Sequence, residues 1–144
     1  AVILISLIDY ELQIIPDSLV LILAAGGFIY SCLYLSGGLL NGLFGSVFAF
    51  AVMLAIFSIS RGGMGGGDVK LSAAAGLWLG FENTVIFLLL SFISGGIISI
   101  LLMITGVKNT QDAIPFGPFL CAGAFAALLY AGYLANFYWN LFNF

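Results

Sequence analysis

Charge is scarce in this sequence. Its 144 residues include 3 lysine or arginine and 6 aspartate or glutamate residues, so that only 6% are charged, whereas a soluble domain has about 25%. With 63% hydrophobic residues and a mean hydropathy of +1.26, the chain has too little polar surface to face water on all sides. Its net charge of −3 also leaves it without the basic surface that nucleic acids require. These values exclude an ordinary soluble fold and a nucleic-acid partner, and they predict that membrane lipid surrounds most of the chain.

Histidine is absent and cysteine is rare. Without histidine, the chain has no Ser-His or Cys-His nucleophilic pair, no zinc site of the HExxH kind and no histidine ligand for haem. Its two cysteines, Cys32 and Cys121, form no CxxC motif that would bind zinc or act in redox chemistry. We therefore expect neither a metal nor another cofactor.

Long apolar runs fill most of the chain. About 20 helical residues cross the hydrocarbon core of a bilayer, and the sequence predicts five complete spans, of which the third is shorter and contains two charged residues. A further apolar segment at the start is too short to cross, so we expect it to be the end of a span whose beginning belongs to a longer protein. The predicted fold is all-α, a polytopic bundle of transmembrane helices that forms one domain over residues 1–144. The partial span is 1–8, and the complete spans are 19–35, 39–60, 64–81, 84–107 and 115–136.

The charged residues segregate when the chain alternates between the two sides of the membrane. Glu82 lies on one side, in the turn between the third and fourth complete spans, and the other charged residues lie on the opposite side. All the basic residues belong to the larger group, so the positive-inside rule assigns that side to the cytoplasm. The larger group consists of Asp9, Glu11, Asp17, Arg61, Asp68, Lys70, Lys108 and Asp112.

Asp68 is the strongest candidate for a functional residue. It lies about 6 Å inside the third span at 1.5 Å per residue, where an ionisable side chain is costly and marks a functional site by default. The glycines before it leave the backbone nearly bare, so a substrate strand could approach the carboxylate, with Gly65 and Gly67 as candidate substrate-binding residues. Two other interpretations are open. Asp68 could be an interfacial residue paired with Lys70 or Arg61, and the glycines could serve close helix packing.

Asp9 is the second candidate. Two predicted crossings separate it from Asp68, so the two carboxylates can meet on the same side of the membrane. Two such groups within hydrogen-bond reach share one proton, which lets one act as a base towards water and the other as an acid towards the departing group. This is the chemistry of aspartic proteases, and it needs no histidine, cysteine or metal.

Two alternatives to this pair use other residues. A Ser-Lys dyad would have Lys70 and Ser72 as its nearest local candidates, but their spacing does not bring them to the same face of a helix. Asp17 competes with Asp9 for the second catalytic position. Because Asp17 lies between Pro16 and an apolar run that opens with Ser18, we expect it to be the N-cap of the next helix.

Four short segments resemble the signatures of one family. Residues 63–71, Gly-Met-Gly-Gly-Gly-Asp-Val-Lys-Leu, resemble the GxGD signature of type IV prepilin peptidases. Residues 9–17, Asp-Tyr-Glu-Leu-Gln-Ile-Ile-Pro-Asp, resemble that family's other signature, in which an aspartate is followed several residues later by Ile/Leu-Pro-Asp. Residues 75–80 and 115–120 are further family-like segments in the expected order. The resemblance covers the chain from Asp9 to about Gly123.

The resemblance implies an intramembrane aspartyl endopeptidase in the bacterial cytoplasmic (inner) membrane. Such an enzyme would cut the short basic leader from prepilins and pseudopilins, next to a glycine and on the cytoplasmic side. Carried over from the family, the catalytic residues are Asp9 and Asp68, and Asp17 is structural. Many members also methylate the new amino terminus and have an N-terminal domain with paired CxxC motifs. No such motif occurs in this sequence, so the resemblance covers the peptidase part alone.

Other functions are open on the sequence. A small transporter or ion-pathway subunit would use Asp68 and Asp9 as proton or cation sites, although it would not explain the other family-like segments. A membrane scaffold would use the glycines for helix packing and the acidic residues at the interface. A presenilin-like or signal-peptide-peptidase-like enzyme also belongs to the GxGD class, but it fits the residues around both aspartates less well.

Overall fold

The computed structural model describes residues 2–60, 63–105 and 115–142. Within these ranges the chain consists of helices and short connections, without a β-strand, which confirms the all-α prediction. Three charged residues of the sequence analysis, Arg61, Lys108 and Asp112, lie outside the described residues. The helices are α1 (Val2–Leu12), α2 (Asp17–Leu33), α3 (Gly38–Ile59), α4 (Gly66–Ile104) and α5 (Gly117–Phe142).

The outer surface of the described helices is strongly apolar. Ile59 is 79% exposed and Ile3 is 78% exposed, and many other large aliphatic and aromatic side chains also point outwards. Two helices in the described ranges, α3 and the part of α4 from Gly66 to Leu102, are long and apolar enough to cross a membrane. An apolar surface of this extent is unfavourable in water, so it is the surface of a membrane protein.

Helix α4 consists of two arms that meet at Gly80, where a φ of 72° and a ψ of 176° interrupt the helix. A straight helix would separate Asp68 from Phe92 by roughly 36 Å at 1.5 Å per residue. Instead, the ring centroids of Phe92 and Phe116 are 5.3 Å apart, and the residue after Phe116 donates a hydrogen bond to Asp9. Asp9 in turn interacts electrostatically with Asp68. Residues 81–104 therefore run back towards the Asp68 end, and the turn that the sequence predicted at 81–83 begins slightly earlier.

Asn41, in the first turn of α3, holds this reversal. Its side-chain oxygen accepts a hydrogen bond from the Phe81 N–H at 2.9 Å, and its amide nitrogen donates to the Ser36 carbonyl at 2.7 Å. The Thr84 hydroxyl donates to the Gly80 carbonyl at 2.6 Å. Because backbone groups freed by a helix break must find other partners in a membrane, these bonds explain how α4 can turn at this point.

Glycines allow the helices to approach one another closely. A Cβ added to Gly76 on α4 would lie 2.6 Å from backbone atoms of Gly45 on α3, so the two backbones are in direct contact. On α2, the Trp78 indole occupies the space that side chains at Gly26 and Gly27 would need, and its N–H donates to the Leu23 carbonyl at 2.8 Å. Small residues at helix contacts are the usual means of association in membranes. This tight packing fixes the first arm of α4, which carries Asp68.

Candidate active site

The structure brings Asp9 and Asp68 together at one end of the bundle. Asp9 lies in the last turn of α1 and Asp68 in the first turn of α4. Each side chain is 5% exposed, and the two interact electrostatically. Two neighbouring carboxyl groups that are shielded from solvent can share a proton, which is the property that acid–base chemistry on a water molecule requires.

The start of α5 holds the Asp9 carboxylate. The N–H of Gly117, the first residue of α5, donates a hydrogen bond to Asp9 Oδ2 at 2.9 Å. The N–H groups of a first helical turn have no partner within the helix, and the positive end of the helix dipole favours a carboxylate there. A Cβ at Gly117 would overlap Asp9 Oδ2 and lie 2.8 Å from its Cγ. The sequence predicted that Pro115 begins this helix, but the helix begins at Gly117.

Two glycines of the segment before Asp68 have different neighbours. The Gly65 carbonyl accepts a hydrogen bond from the Asp68 N–H at 3.1 Å, and a Cβ on Gly65 would lie 3.6 Å from the Asp68 carboxylate. Gly67 instead faces Ile15, since its Cβ would lie 2.8 Å from that of Ile15. The backbone carbonyl of Asp68 accepts a hydrogen bond from Ser72 at 2.8 Å. Gly65 thus lines the carboxylate, whereas Gly67 packs against the connection between α1 and α2.

Asp17 and Lys70 form an ion pair apart from the two buried carboxyl groups. Lys70 Nζ lies 2.8 Å and 3.0 Å from the two carboxylate oxygens of Asp17, and both side chains are more than half exposed. The prediction that Asp17 is an N-cap is wrong: Pro16 occupies the cap of α2, and Asp17 is the first residue of the helix. The Asp17 carboxylate binds Lys70 instead of capping backbone N–H groups. Because Lys70 binds Asp17, it is not the partner of Asp68 that the alternative interpretation required, and it is not half of a dyad with Ser72.

The remaining charged residues of the described ranges are exposed. Glu11 lies near the end of α1, and Glu82 lies just beyond the turn at Gly80. Among the residues that the structure describes, no cluster of three or more histidine, cysteine, aspartate or glutamate side chains could hold a metal ion. Among the charged residues that the structure describes, Asp9 and Asp68 are therefore the buried ones, and they form the candidate site.

Comparison with known proteins identifies the family. The model of the type IV leader peptidase family matches residues 1–100, a range that includes both buried aspartates. The chain belongs to the type IV leader peptidase family.

Curated relatives of this family member are named prepilin leader peptidase/N-methyltransferase. Those of Pseudomonas aeruginosa and Aeromonas hydrophila are 34% identical over 138 and 144 residues, and that of Legionella pneumophila is 37% identical over 143 residues. These alignments cover 92%, 96% and 94% of this chain but 48%, 49% and 50% of the respective relatives. The chain thus spans about half the length of the curated relatives it matches. No solved structure matches it.

Sequence reasoning did not identify two residues at the site. Gly117 lies in one of the family-like segments, between Phe116 and Pro118. Its hydrogen bond to Asp9 joins residues that are far apart in sequence, so the sequence did not reveal this contact. Cys121, one turn further along α5, is buried and within electrostatic reach of both aspartates. No local pattern marks Cys121, because its proximity arises from the packing of α5 against α1 and α4.

Proposed function

We propose that this chain is the peptidase part of a prepilin leader peptidase. The single observation that carries the proposal is the pair Asp9 and Asp68, two buried carboxyl groups that interact electrostatically in an otherwise apolar helix bundle. The names of the relatives support prepilins as substrates, and we extend the proposal to pseudopilins from the resemblance of the sequence signatures. A transporter would also place acids inside a membrane, but membership of a peptidase family favours hydrolysis.

The proposed reaction uses one water molecule between the two carboxyl groups. The ionised carboxylate takes a proton from the water, and the water oxygen attacks the carbonyl carbon of the scissile peptide bond. The protonated member gives its proton to the carbonyl oxygen, and the resulting diol then collapses as the amine leaves with a proton. The Gly117 N–H fixes the orientation of Asp9, which is the kind of preorganisation that acid–base catalysis needs.

We propose that the substrate backbone passes beside Gly65. Its lack of a side chain leaves the Asp68 carboxylate approachable from that direction, as an extended peptide requires. Gly67, the other glycine predicted to bind substrate, contacts Ile15, so in this proposal it sets the position of the site through packing. The chain's own residues carry the whole reaction, without a cofactor.

We propose a multi-pass location in the bacterial cytoplasmic membrane, with five complete spans after α1. The two arms of α4 count as separate spans because the chain returns at Gly80. The site then lies on the cytoplasmic side, where Lys70 pairs with Asp17, and Glu82 lies on the other side. This orientation follows the positive-inside rule and would present the pair to a basic leader. Membrane lipid covers the exposed apolar faces of the helices.

A cleavage assay with matched variants tests the proposed function. The protein is expressed in membranes of a bacterium that lacks its own leader peptidase, and removal of the leader from a type IV prepilin is followed by mass spectrometry. Asp9→Asn and Asp68→Asn should each lower the rate by about 10²–10⁴-fold or more, because each removes one half of the acid–base pair.

Two exposed acidic residues provide controls for this assay. Asp17→Asn and Glu11→Gln remove a negative charge near the same side of the bundle but leave the buried pair intact, and an exposed ion pair such as that of Asp17 contributes little stability. Both controls should cleave at close to the wild-type rate. Full cleavage by Asp9→Asn or Asp68→Asn, in protein that is folded and inserted, would show that the pair is not catalytic.

A further inference from the structure

A groove opens between α2, α3 and the first arm of α4, and its volume is about 400 Å³. Lys70, which borders it, follows Asp68 by two positions, or about 200° around a helix. The groove therefore lies on the side of the arm that faces away from the two carboxyl groups. Its apolar lining includes Val20, Leu21, Ala24, Phe50, Ala73 and Leu77.

The groove exists because these three helices approach closely at one end only. Towards the end of the first arm, Gly76 on α4 contacts the Gly45 backbone on α3, and the Trp78 ring lies against α2. The groove begins beside these contacts, at Leu77, and extends back towards the start of α4. Along this stretch the lining consists of residues other than glycine, so the helix backbones stay further apart and leave a space between them.

The ion pair of Asp17 and Lys70 stands at the mouth of the groove, since both residues also line it. The hydrogen bonds of 2.8 Å and 3.0 Å between them use at most two donors of the ammonium group and two acceptor positions of the carboxylate. An ammonium group has three donors, and a carboxylate accepts about four hydrogen bonds. The mouth therefore presents one positive and one negative group, side by side, and each can bind a further partner.

From this arrangement we infer a binding site for one molecule of phosphatidylethanolamine, a zwitterionic phospholipid with a primary ammonium group. One acyl chain fills the groove, the phosphate accepts a hydrogen bond from Lys70, and the lipid ammonium group donates to Asp17. The site is separate from the two carboxyl groups of the candidate active site, and its test does not depend on peptidase activity.

The lining and the volume of the groove fit an acyl chain. Beyond the ion pair, Ser46 is the one polar residue among the described residues of the lining, so a polar occupant would lose hydration without compensation. A dry apolar cavity of about 150 Å³ in another protein binds benzene, and a groove of about 400 Å³ has room for a longer hydrocarbon. An acyl chain is flexible enough to follow the groove, and it restores the dispersion contacts that an unfilled space would lose.

The charges at the mouth determine the headgroup. The Asp17 carboxylate repels a headgroup that carries only negative charge, such as phosphatidylglycerol. The quaternary ammonium group of phosphatidylcholine has no N–H to donate, so it forms no charge-assisted hydrogen bond with the carboxylate. Phosphatidylethanolamine supplies both an acceptor for Lys70 and a donor for Asp17, and we expect it to bind more tightly than the other two.

Lipid titration of the wild-type protein tests this preference. The protein in detergent is titrated with phosphatidylethanolamine, phosphatidylcholine or phosphatidylglycerol of identical acyl chains, and bound lipid is counted by native mass spectrometry. One phosphatidylethanolamine should bind with a Kd at least about tenfold lower than that of either other lipid, because one hydrogen bond to a charged group is worth a factor of about ten or more.

Two kinds of variant separate the chain-binding part of the site from its mouth. Ala73→Leu extends a longer side chain into the groove and should raise the Kd of all three lipids about tenfold. Ala122→Leu adds the same atoms at an exposed position of α5 and should bind lipid like the wild-type protein. The double substitution Asp17→Asn and Lys70→Gln should bring the Kd of phosphatidylethanolamine to that of phosphatidylcholine. Glu82→Gln, which removes an exposed charge outside the groove, should keep the preference.

Three results would overturn the lipid site. The first is an equal Kd of the three lipids for the wild-type protein. The second is unchanged binding of phosphatidylethanolamine by folded Ala73→Leu, which would place the lipid elsewhere on the apolar surface. The third is association of two copies of the chain that Ala73→Leu abolishes, which would make the groove a protein interface. The cleavage assay tests the proposed function separately, so failure of either proposal leaves the other in place.

Discussion

Replacement of Gly117 by alanine is the sharpest perturbation of the site that leaves both aspartates in place. The added Cβ would overlap Asp9 Oδ2 and lie 2.8 Å from Cγ and 3.1 Å from Cβ of the same side chain, so the Asp9 carboxyl group must move. Its hydrogen bond from the Gly117 N–H, 2.9 Å long, is then lost or distorted. A hydrogen bond to a carboxylate is worth about 1.5–3 kcal/mol, and a displacement of about 1 Å in a catalytic group can cost about 10²-fold in rate.

We therefore expect Gly117→Ala to lower kcat for prepilin cleavage about 10²-fold with little change in KM, because in the proposed mechanism Asp9 transfers protons and does not hold the substrate. Single-turnover and steady-state cleavage by protein in lipid nanodiscs would measure both constants. Thermal unfolding of the same samples would show how far the substitution also destabilises the bundle.

Gly96→Ala is the matched control for this experiment. Gly96 lies in the second arm of α4, and a Cβ there has no atom within 4 Å, so the substitution should leave kcat unchanged and raise helix propensity slightly. A folded Gly117→Ala protein with wild-type kcat would refute the idea that α5 orients Asp9. An equal loss in Gly96→Ala would show that the effect is not specific to the site.

Two further predictions concern the framework that fixes the first arm of α4. Gly76→Ala should destabilise the protein by about 1–3 kcal/mol, because its Cβ would lie 2.6 Å from the Gly45 backbone. Unfolding in a denaturing detergent measures this loss of stability. A stability equal to that of Gly96→Ala would contradict the prediction. Asn41→Ala should lower stability by about 1 kcal/mol, because it removes the hydrogen bonds to Phe81 and Ser36 at the turn of α4. Asn41→Asp, which keeps the acceptor for the Phe81 N–H, should recover part of that loss, and equal effects of the two substitutions would contradict the role of the acceptor.

The sequence predicted those features of the fold that depend on local composition and alternation. The apolar runs led to an all-helical membrane protein, and the short polar segment near Glu82 led to a reversal that the structure has at Gly80. An even number of crossings between Asp9 and Asp68 indicated that the two could meet, and the structure brings them together. Each inference required only the length of a span and the order of residues along the chain.

The sequence could not predict contacts that depend on how the helices pack. Asp17 has the local features of a helix cap, yet its carboxylate binds Lys70, which the fold of α4 brings within reach. The bond from Gly117 to Asp9 likewise joins the first and last helices, and no local pattern marks such a partner.

The convergence of Asp9 and Asp68 is the central claim, and cross-linking tests it most directly. Asp9→Cys and Asp68→Cys are combined in a protein with Cys32→Ser and Cys121→Ser, treated in native membranes with a short thiol-specific cross-linker and analysed by mass spectrometry after proteolysis. A second protein combines Asp68→Cys with Glu82→Cys. Asp68 lies at the start of the first α4 arm and Glu82 lies just beyond its far end, roughly 20 Å away. We predict an efficient cross-link in the first protein and little or none in the second. Absence of the cross-link between positions 9 and 68, in protein whose two thiols each react with a single-ended reagent, would contradict the proposed site.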